Sequence, residues 1–401
     1  MSLNDTPSGE RAHIVFFGVR NAGKSSLVNA LTNQIVSVVS DVAGTTTDPV
    51  RKAMELAPAG PVLIVDTPGI DDAGDVGDLR VQRAEAALNE ADVAVLVVDA
   101  ARGMTAFDER LIAIFQDRNI PYVLVENKAD LLAESTQSEE GRVRVSARTG
   151  EGLDDLKRAL ATLATGAVGE RRLVGDLLTP GDVVVLVIPL DSAAPKGRII
   201  LPQQQVMRDA LDAGAFPCAT SVEGLPDLLA SLARPPRLVV TDSQAFSGVD
   251  ALLPAEVPLT SFSILMARYK GDLAAQLEAV RALENLTDDD TVLIAEGCTH
   301  HRTCEDIGTV KLPRLIRAVS GADPRFAFTS GRDFPDDLSP YAAIVHCGGC
   351  TLNARDMASR LQRARAQQVP FTNYGMTIAR AHNILPRVLA PLDADNLCAR
   401  S

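Results

Sequence analysis

Two short clusters of cysteine and histidine could bind a metal in this 401-residue sequence. The chain has only six cysteines and five histidines, and seven of these residues lie in EGCTHHRTC, residues 296–304, and VHCGGC, residues 345–350. Thiolates at Cys-x-x-Cys spacing can bind one metal centre from a single turn of chain, and a cysteine from another strand can complete one face. The clusters therefore predict a metal site that includes Cys298, Cys347 and Cys350.

The spacing leaves the kind of metal open. Four or five Cys and His ligands suit structural zinc, and three cysteines with one open iron suit an iron–sulfur cluster equally well. Structural zinc is typical of small, loop-rich modules that need the metal in order to fold. The segment around these clusters has enough apolar strand and helix to form a core without metal, which favours a functional cluster modestly over zinc.

A second kind of chemistry is indicated by GVRNAGKS, residues 18–25, which has the spacing of a phosphate-binding loop between a predicted strand and a predicted helix. Small residues let backbone N–H groups surround the phosphates. Lys24 would place its charge on the β- and γ-phosphates, and the Ser25 hydroxyl would bind Mg²⁺. The nucleotide contacts predicted in this loop are those of Gly18, Asn21, Ala22, Gly23, Lys24, Ser25 and Ser26.

Three further motifs follow in the order expected of a GTP site: DTPG, residues 66–69, NKAD, residues 127–130, and SAR, residues 146–148. In DTPG, Asp66 would hold Mg²⁺ through water, and the Gly69 N–H would meet the γ-phosphate. In NKAD, Asp130 can accept hydrogen bonds from the guanine N1–H and 2-amino groups, which adenine does not present. The predicted base-side contacts are Asn127, Lys128, Asp130, Ser146 and Ala147.

The four motifs together resemble the small GTPase superfamily over about residues 10–168, and AGTTTD, residues 43–48, resembles switch I of its TrmE–Era branch. This resemblance implies that Thr46 binds Mg²⁺ and that Asn21 helps to bind K⁺; an ordinary loop residue is the alternative for Asn21. A cation there could replace an arginine finger by neutralising charge on the transferring phosphate. The predicted catalytic residues are Asn21, Lys24, Thr46, Asp66 and Gly69.

The residue after DTPG is Ile70, at a position where members that orient water with a side chain often have glutamine. Isoleucine cannot hydrogen-bond to water, so intrinsic hydrolysis should be slow. The GTPase is therefore interpreted as a switch and not as a metabolic enzyme.

The elements that must position these motifs are alternating apolar runs and helical patterns, which predict an α/β protein. We expect a P-loop GTPase domain with a doubly wound parallel sheet at residues 1–168, a linker at 169–180, and two further βα-type domains at 181–270 and 271–401. Both Cys/His clusters follow predicted strands. Because the carboxyl ends of the strands share one edge in an open α/β sheet, where ligands bind, the clusters can meet there.

The GTPase motifs joined to the C-x-H and H-C-x-x-C patterns resemble the HydF family of FeFe-hydrogenase maturation GTPases across essentially the whole chain. The stretches APKGRIILPQ, EGCTHH, HCGGC and VPFTNYG support this resemblance. It implies that residues 181–270 form a dimerisation domain and that residues 271–401 bind a 4Fe–4S cluster. The implied cluster ligands are Cys298, Cys347 and Cys350, with His300 and His346 as candidates for a fourth ligand that varies within the family.

The implied function is that of a GTP-hydrolysing scaffold and carrier, which receives a diiron precursor and passes it to apo FeFe-hydrogenase. The implied partners are the radical-SAM maturases HydE and HydG and a second copy of the chain, with GTP turnover regulating partner exchange. One alternative is a regulatory TrmE–Era-like GTPase of ribosome or tRNA biology with a zinc-stabilised C-terminal domain. Another is an electron-transfer enzyme, although such clusters usually have four cysteines.

Composition limits these alternatives. The formal net charge of −13 gives the chain no electrostatic reason to bind phosphate backbones, so nucleic acid is not expected as a main partner. No run of about 20 apolar residues is present, and the first residues lack the pattern of a signal peptide. We therefore expect a cytoplasmic protein without a membrane segment, in a reducing compartment where clustered cysteines favour metal or redox chemistry over disulfides.

Overall fold

The computed structural model describes residues 6–32, 49–67, 87–132, 141–168, 172–190, 199–297, 306–331 and 333–392. The chain divides into two compact units, Met1–Glu170 and Arg171–Ser401. Both units contain mainly parallel sheets with helices, so the predicted α/β class is confirmed. Over the described ranges, no helix combines the length and the apolar character needed to cross a bilayer.

The N-terminal unit is built on a six-stranded sheet in the order β2-β3-β1-β4-β5-β6. Strand β2 is antiparallel to β3, and the other neighbours are parallel. Its strands are β1 (Ala12–Phe17), β2 (Val50–Leu56), β3 (Gly60–Asp66), β4 (Val93–Asp99), β5 (Tyr122–Asn127) and β6 (Arg142–Arg144). Its helices are α1 (Lys24–Thr32), α2 (Ala106–Asp117) and α3 (Leu153–Val168).

Strands β1 and β4 are buried along their whole length because a separate apolar core covers each face of the sheet. Ile14 and Phe16 face one core, and Val15 and Phe17 face the other, as the two-residue period of a strand requires. Strand β1 has β3 on one side and β4 on the other. The order of the strands in the sheet therefore reverses at β1. In a doubly wound sheet, ligands bind at the carboxyl end of the strands at this reversal point, so the carboxyl end of β1 is the expected ligand position.

The C-terminal unit contains two four-stranded parallel sheets, ordered β10-β9-β7-β8 and β12-β11-β13-β14. The strands are β7 (Val183–Val187), β8 (Phe216–Thr220), β9 (Leu238–Thr241), β10 (Leu259–Ser261), β11 (Thr291–Glu296), β12 (Arg325–Ser330), β13 (Ala343–His346) and β14 (Phe371–Asn373). The helices are α4 (Leu201–Asp212), α5 (Leu225–Ser231), α6 (Phe246–Leu252), α7 (Phe262–Lys270), α8 (Leu273–Ala282), α9 (Leu312–Ser320), α10 (Ala354–Ala366), α11 (Tyr374–Ala381) and α12 (Leu385–Leu389).

One apolar core extends across both sheets of the C-terminal unit. It contains Val185 and Val239 from the first sheet, Val292 and Val345 from the second, and Ile264 from helix α7. The segments 181–270 and 271–401 therefore share this core and lie within one compact unit.

The described part of the segment expected as a linker, residues 172–180, packs within the C-terminal unit. Within residues 172–180, Leu173 and Val174 are buried in the shared core. The Asp209 carboxylate on α4 accepts hydrogen bonds from the backbone N–H groups of Leu173, Val174 and Gly175, at 2.9, 2.8 and 2.7 Å. The carboxylate that anchors this segment lies more than thirty residues away from it in sequence.

Candidate functional site

The phosphate-binding loop, residues 18–25, leaves β1 and enters α1 as predicted. Gly18 has φ +141°, and a Cβ atom there would lie 2.3 Å from the Val97 carbonyl oxygen on β4. Only glycine allows the loop to pass this close to the neighbouring strand. Asn21 is exposed and also has a positive φ, 64°.

Lys24 is buried at the base of this loop. Its Nζ donates hydrogen bonds to the carbonyl oxygens of Gly18 at 2.8 Å and Val19 at 3.0 Å. These contacts keep the Lys24 ammonium group inside the loop. Phosphate oxygens bound there would compete with the two carbonyl oxygens for its N–H groups. The predicted position of Lys24 next to the phosphates is consistent with this arrangement.

Ser25 and Asp66 form a donor set that fits Mg²⁺. The Ser25 hydroxyl donates to Asp66 Oδ2 at 2.5 Å, whereas the buried Asp66 Oδ1 has no hydrogen-bond partner in the described part of the chain. Burial raises the pKa of Asp66, although the Ser25 hydrogen bond and the Lys24 charge oppose this shift. Mg²⁺ prefers carboxylate, hydroxyl and water oxygens, and a nearby divalent cation would favour the ionised form of Asp66. Thr46 and Gly69 lie outside the described residues.

The base-side residues meet at the carboxyl ends of β5 and β6. Asn127 Nδ2 donates to the Ala22 carbonyl oxygen at 2.9 Å, and the Ala147 N–H donates to Asn127 Oδ1 at 3.2 Å. Ser146 Oγ donates to Asp130 Oδ1 at 2.6 Å. One amide side chain thus connects the phosphate-binding loop to the segment that carries the base-side contacts.

The second carboxylate oxygen of Asp130, Oδ2, contacts a basic side chain. It pairs with Arg148 at 2.6 Å, and the Arg148 side chain is 74% exposed. The Ser146 hydrogen bond, followed by the Arg148 charge, lowers the pKa of Asp130, so the group stays ionised and able to accept hydrogen bonds from guanine. Lys128, in a left-handed conformation, donates to Asp99 at 2.7 Å.

Gly297, near the start of the first Cys/His segment, lies at the same sheet edge as the second segment, because β11 and β13 are neighbours. Ala295 is paired with His346 in register, and the Cys347 N–H donates to the Ala295 carbonyl oxygen at 2.8 Å. Cys347 Sγ accepts hydrogen bonds from the backbone N–H groups of Gly297 at 3.0 Å and Gly349 at 3.3 Å. Hydrogen bonds to sulfur stabilise the thiolate that a metal requires.

The cysteine loop, defined here as residues 347–352, is a tight turn with two free cysteines. Cys347 and Cys350 are both half-buried and form no disulfide. Gly349 has φ +61°, and a Cβ there would lie 2.6 Å from the Met357 sulfur. Burial raises the pKa of the Cys350 thiol, and the Lys270 ammonium acts in the opposite direction.

Cys298 and His300 lie outside the described residues, so the complete set of predicted ligands is not visible. Within the described ranges, no group of three or more His, Cys, Asp or Glu side chains is arranged to hold a metal. The last described residue before Cys298 is Gly297, whose carbonyl oxygen accepts a hydrogen bond from Thr351 Oγ1 at 2.9 Å. The residues present therefore fit a thiolate-bound metal centre at this edge.

The side chain of His346 is buried and hydrogen-bonded, unlike a histidine that is free to bind a metal. Burial and the nearby Arg360 guanidinium lower the pKa of His346 to about 3, so its ring is neutral. Nδ1 donates to the Cys347 carbonyl oxygen at 2.7 Å, and Nε2 accepts from Arg360 at 3.0 Å. The ring also stacks on Phe371, and Arg360 pairs with Asp356 at 3.1 Å. Both ring nitrogens are engaged, so in this arrangement neither is available to iron.

The side chains of Tyr374 and Glu296 form a buried hydrogen-bonded pair at the sheet edge that carries the cysteine loop. Tyr374 Oη donates to Glu296 Oε1 at 3.2 Å, and burial raises the pKa of Tyr374 above its ordinary value. A Cβ at Gly308 would lie within 2.7 Å of both side chains. Tyr374 therefore packs against the end of β11, and Asn373 caps α11 by accepting from the Met376 N–H at 2.8 Å.

Two buried cations beside the cysteine loop were missed from the sequence. Lys270 ends helix α7, and Arg360 lies on α10. A lysine before a glycine at the end of a helix is typical of a solvent-exposed C-terminal charge, so no sequence signal marks Lys270. Arg360 could have been noticed from Asp356 four residues earlier, which is the spacing of a helical ion pair.

Comparison with protein families gives three matches along the chain. Residues 274–391 match the hydrogen maturase F tetramerization domain, and residues 173–271 match the hydrogen maturase F dimerization domain. Residues 13–128 match a domain described as a 50S ribosome-binding GTPase.

Two tRNA modification GTPases are similar to the GTPase part of the chain. The chain is 41% identical over 166 residues to the tRNA modification GTPase MnmE of Laribacter hongkongensis, covering 40% of this chain and 36% of that protein. It is 40% identical over 156 residues to MnmE of Chromobacterium violaceum, covering 38% and 34%. The chain thus spans about a third of the length of these relatives.

Among solved structures, a crystal structure of Aquifex aeolicus Era bound to GDP and AlF₄⁻ is 21% identical, with a TM-score of 0.35. The match covers 55% of this chain and 98% of that one. A likeness at this level carries no argument about function.

The GTPase similarity is shared with many proteins, whereas the two matches that run from residue 173 to residue 391 are specific to hydrogen maturase F. These matches confirm the resemblance predicted from the joined GTPase and Cys/His motifs. The MnmE-like part also confirms a GTPase domain of the TrmE type. The chain therefore belongs to the HydF family, with a P-loop GTPase domain at its N-terminal end.

Proposed function

We propose that this protein is a GTP-hydrolysing scaffold and carrier in FeFe-hydrogenase maturation, which binds a 4Fe–4S cluster and delivers a diiron precursor to apo-hydrogenase. The observation that carries the proposal is the Cys347 sulfur, which accepts two backbone N–H hydrogen bonds where the two Cys/His segments meet. Membership of the HydF family supports the place of this chemistry in hydrogenase maturation.

Cys298, Cys347 and Cys350 are the cluster ligands in this proposal. Two of them lie on the cysteine loop, and the third directly follows Gly297, which donates to the Cys347 sulfur. Backbone N–H groups directed at sulfur are one of the means by which a protein sets the properties of an iron–sulfur cluster. Three thiolates leave one iron for an exchangeable ligand, as a carrier requires.

Of the two histidines considered for the fourth position, His300 is the one we retain. His346 is engaged at both ring nitrogens by Cys347 and Arg360, so binding iron would require it to give up a buried hydrogen bond. A histidine or a water at this position can leave more easily than a thiolate, which would open the iron to an incoming precursor.

At the GTPase site, we propose that Ser25, Thr46 and Asp66 hold Mg²⁺ and that Asn21 helps to hold K⁺. The buried Asp66 Oδ1 beside the Ser25 hydroxyl supports the Mg²⁺ position. Asn21, exposed on the phosphate-binding loop, is accessible to a nucleotide-bound cation. Bound cations would neutralise charge that develops on the transferring phosphate, while Lys24 orients the phosphates.

The partners in this proposal are apo FeFe-hydrogenase and the radical-SAM maturases HydE and HydG, which would supply parts of the precursor in the cytoplasm. GTP turnover would regulate the exchange of these partners. The matched dimerization and tetramerization domains support an oligomer, and we propose a homodimer as its basic form.

The proposal is tested by anaerobic reconstitution of the full chain with iron and sulfide, followed by iron, sulfide and zinc analysis and by visible and EPR spectroscopy. Wild-type protein should be brown, and Cys347→Ser should lose most of the iron while GTP hydrolysis is retained. Cys218→Ser is the matched control, because Cys218 is a free, half-buried cysteine on β8 of the other sheet.

Transfer is tested by adding precursor-loaded protein to metal-deficient hydrogenase and measuring hydrogen evolution. Colourless wild-type protein that retains zinc would favour the zinc-stabilised regulatory GTPase instead. A Cys347→Ser variant that keeps its iron would show that the ligand assignment is wrong.

A further inference from the structure

Helix α7 ends in a buried lysine that extends into the cysteine loop. Lys270 is only 1% exposed. Its Nζ donates hydrogen bonds to the carbonyl oxygens of Leu352 at 2.6 Å, Gly349 at 2.9 Å and Cys350 at 3.3 Å. An ammonium group has three N–H donors, and here three carbonyl oxygens of one short loop receive them.

A cation in this position is unusual, because a lysine near a helix end normally keeps its ammonium in water. Transfer of a charge to a protein interior is unfavourable unless polar or oppositely charged groups surround it. The carbonyl oxygens provide part of this compensation. Thiolates carried by the same loop, together with a bound cluster, would place negative charge next to the ammonium.

Lys270 and the cysteine loop lie in segments that match two different family domains. Helix α7 lies in the segment 173–271 that matches the dimerization domain, whereas the cysteine loop lies in the segment 274–391. The helix packs directly beneath the loop, since a Cβ at Gly348 would lie 3.5 Å from the Met266 Cβ. The loop is therefore supported from outside its own segment.

We propose that Lys270 is a positioning residue for the iron–sulfur site, which fixes the cysteine loop through its carbonyl oxygens and offsets the negative charge of the thiolate-bound cluster. This inference rests on the proposed function, because it requires that a cluster binds at Cys347 and Cys350. Its two parts, hydrogen bonding and charge, affect different measurable properties of the cluster.

Two substitutions separate these parts. Lys270→Met keeps the length of the side chain but removes both the charge and the N–H donors, so chelators should remove iron several-fold faster than from wild type. Lys270→Gln keeps N–H donors without the charge, and its rate of iron loss should lie between the two. In both variants the reduction potential should become more negative, because a nearby cation favours the added electron.

The experiment uses the full chain, reconstituted anaerobically with iron and sulfide. Iron and sulfide content, the rate of bleaching by a chelator, and an EPR-monitored redox titration are measured. Arg268→Met is the matched control, because Arg268 lies on the same helix and pairs with Asp176 away from the cysteine loop. GTP hydrolysis and thermal unfolding identify any general loss of structure.

Lys270→Met with wild-type iron retention and wild-type potential would overturn the inference. If Lys270→Met fails to fold, the Lys270→Gln variant provides the test. A cluster with the wild-type reduction potential in Lys270→Gln would reject the role of the charge. Wild-type protein that takes up no iron would instead contradict the proposed function, which keeps the two failures distinguishable.

Discussion

The GTP site and the proposed cluster site both lie at the carboxyl edge of a parallel sheet, but different groups hold them in place. At the GTP site, the loop between β1 and α1 is stabilised mainly by groups from the motifs themselves, such as Lys24 on Gly18 and Asn127 on Ala22. At the cysteine loop, Lys270 donates to loop carbonyl oxygens, and Arg360 donates to the His346 ring, which in turn donates to the Cys347 carbonyl oxygen.

This difference follows from the chemistry of the two ligands. Phosphate groups are bound largely by backbone N–H groups at the start of a helix, so a short motif brings most of its own binding groups. A metal centre requires thiolates from separate strands, and these strands must be fixed by contacts that are distant in sequence. We therefore expect the GTP site to tolerate changes around it better than the cysteine loop does.

The largest effect should come from Arg360→Met. Arg360 is 4% exposed and holds both Asp356 and His346, so its loss leaves a carboxylate and a ring nitrogen without a buried partner. The C-terminal unit should lose about 3 kcal/mol of unfolding free energy, and iron retention should fall with it. Chemical denaturation measures the change, and Arg365→Met, at an exposed ion pair with Asp272, should lose less than about 1 kcal/mol.

A result in which both substitutions have equally small effects would remove the contrast between the two sites. It would mean that the cysteine loop does not depend on the buried network around His346.

The next largest effect should come from Lys24→Met. Removing this buried charge from the phosphate-binding loop should slow GTP hydrolysis by about 10²–10³-fold, because the transferring phosphate loses a charged donor. Iron content should stay at the wild-type level if the two sites are stabilised separately. Steady-state hydrolysis and iron analysis on one preparation check both, with the half-exposed Lys157 changed to Met as the control. Loss of iron in Lys24→Met would argue that the sites depend on each other.

The smallest effect concerns K⁺. Replacing K⁺ by Na⁺ should slow hydrolysis by roughly fivefold, equivalent to about 1 kcal/mol for one charge close to the phosphates near solvent. Asn21→Ala should remove the difference between the two salts, and rates are compared at constant ionic strength. Equal rates of the wild-type protein in the two salts would reject the proposed cation role of Asn21.

Much of the fold was accessible from local patterns. Long apolar runs bounded by polar turns, such as HIVFFG, PVLIVD, TVLIAEGC and YAAIVHCGGC, indicate buried parallel strands, and the structure has β1, β3, β11 and β13 there. The packing of residues 173–175 was not accessible from such patterns, because the Asp209 carboxylate that accepts their backbone N–H groups lies in a separate helix.

The sequence by itself determined the nucleotide chemistry and the likeness to HydF, because contiguous motifs specify which groups meet the phosphates and which spacings suit a metal. Only the tertiary structure decided the surroundings of the cysteine loop. Two backbone N–H groups donate to the Cys347 sulfur, and both ring nitrogens of His346 are hydrogen-bonded. Lys270 is buried beneath the loop and donates to its carbonyl oxygens. The physical reason is that burial and hydrogen-bond pairing of a side chain depend on which distant elements pack around it, and residue type and local spacing do not encode that environment.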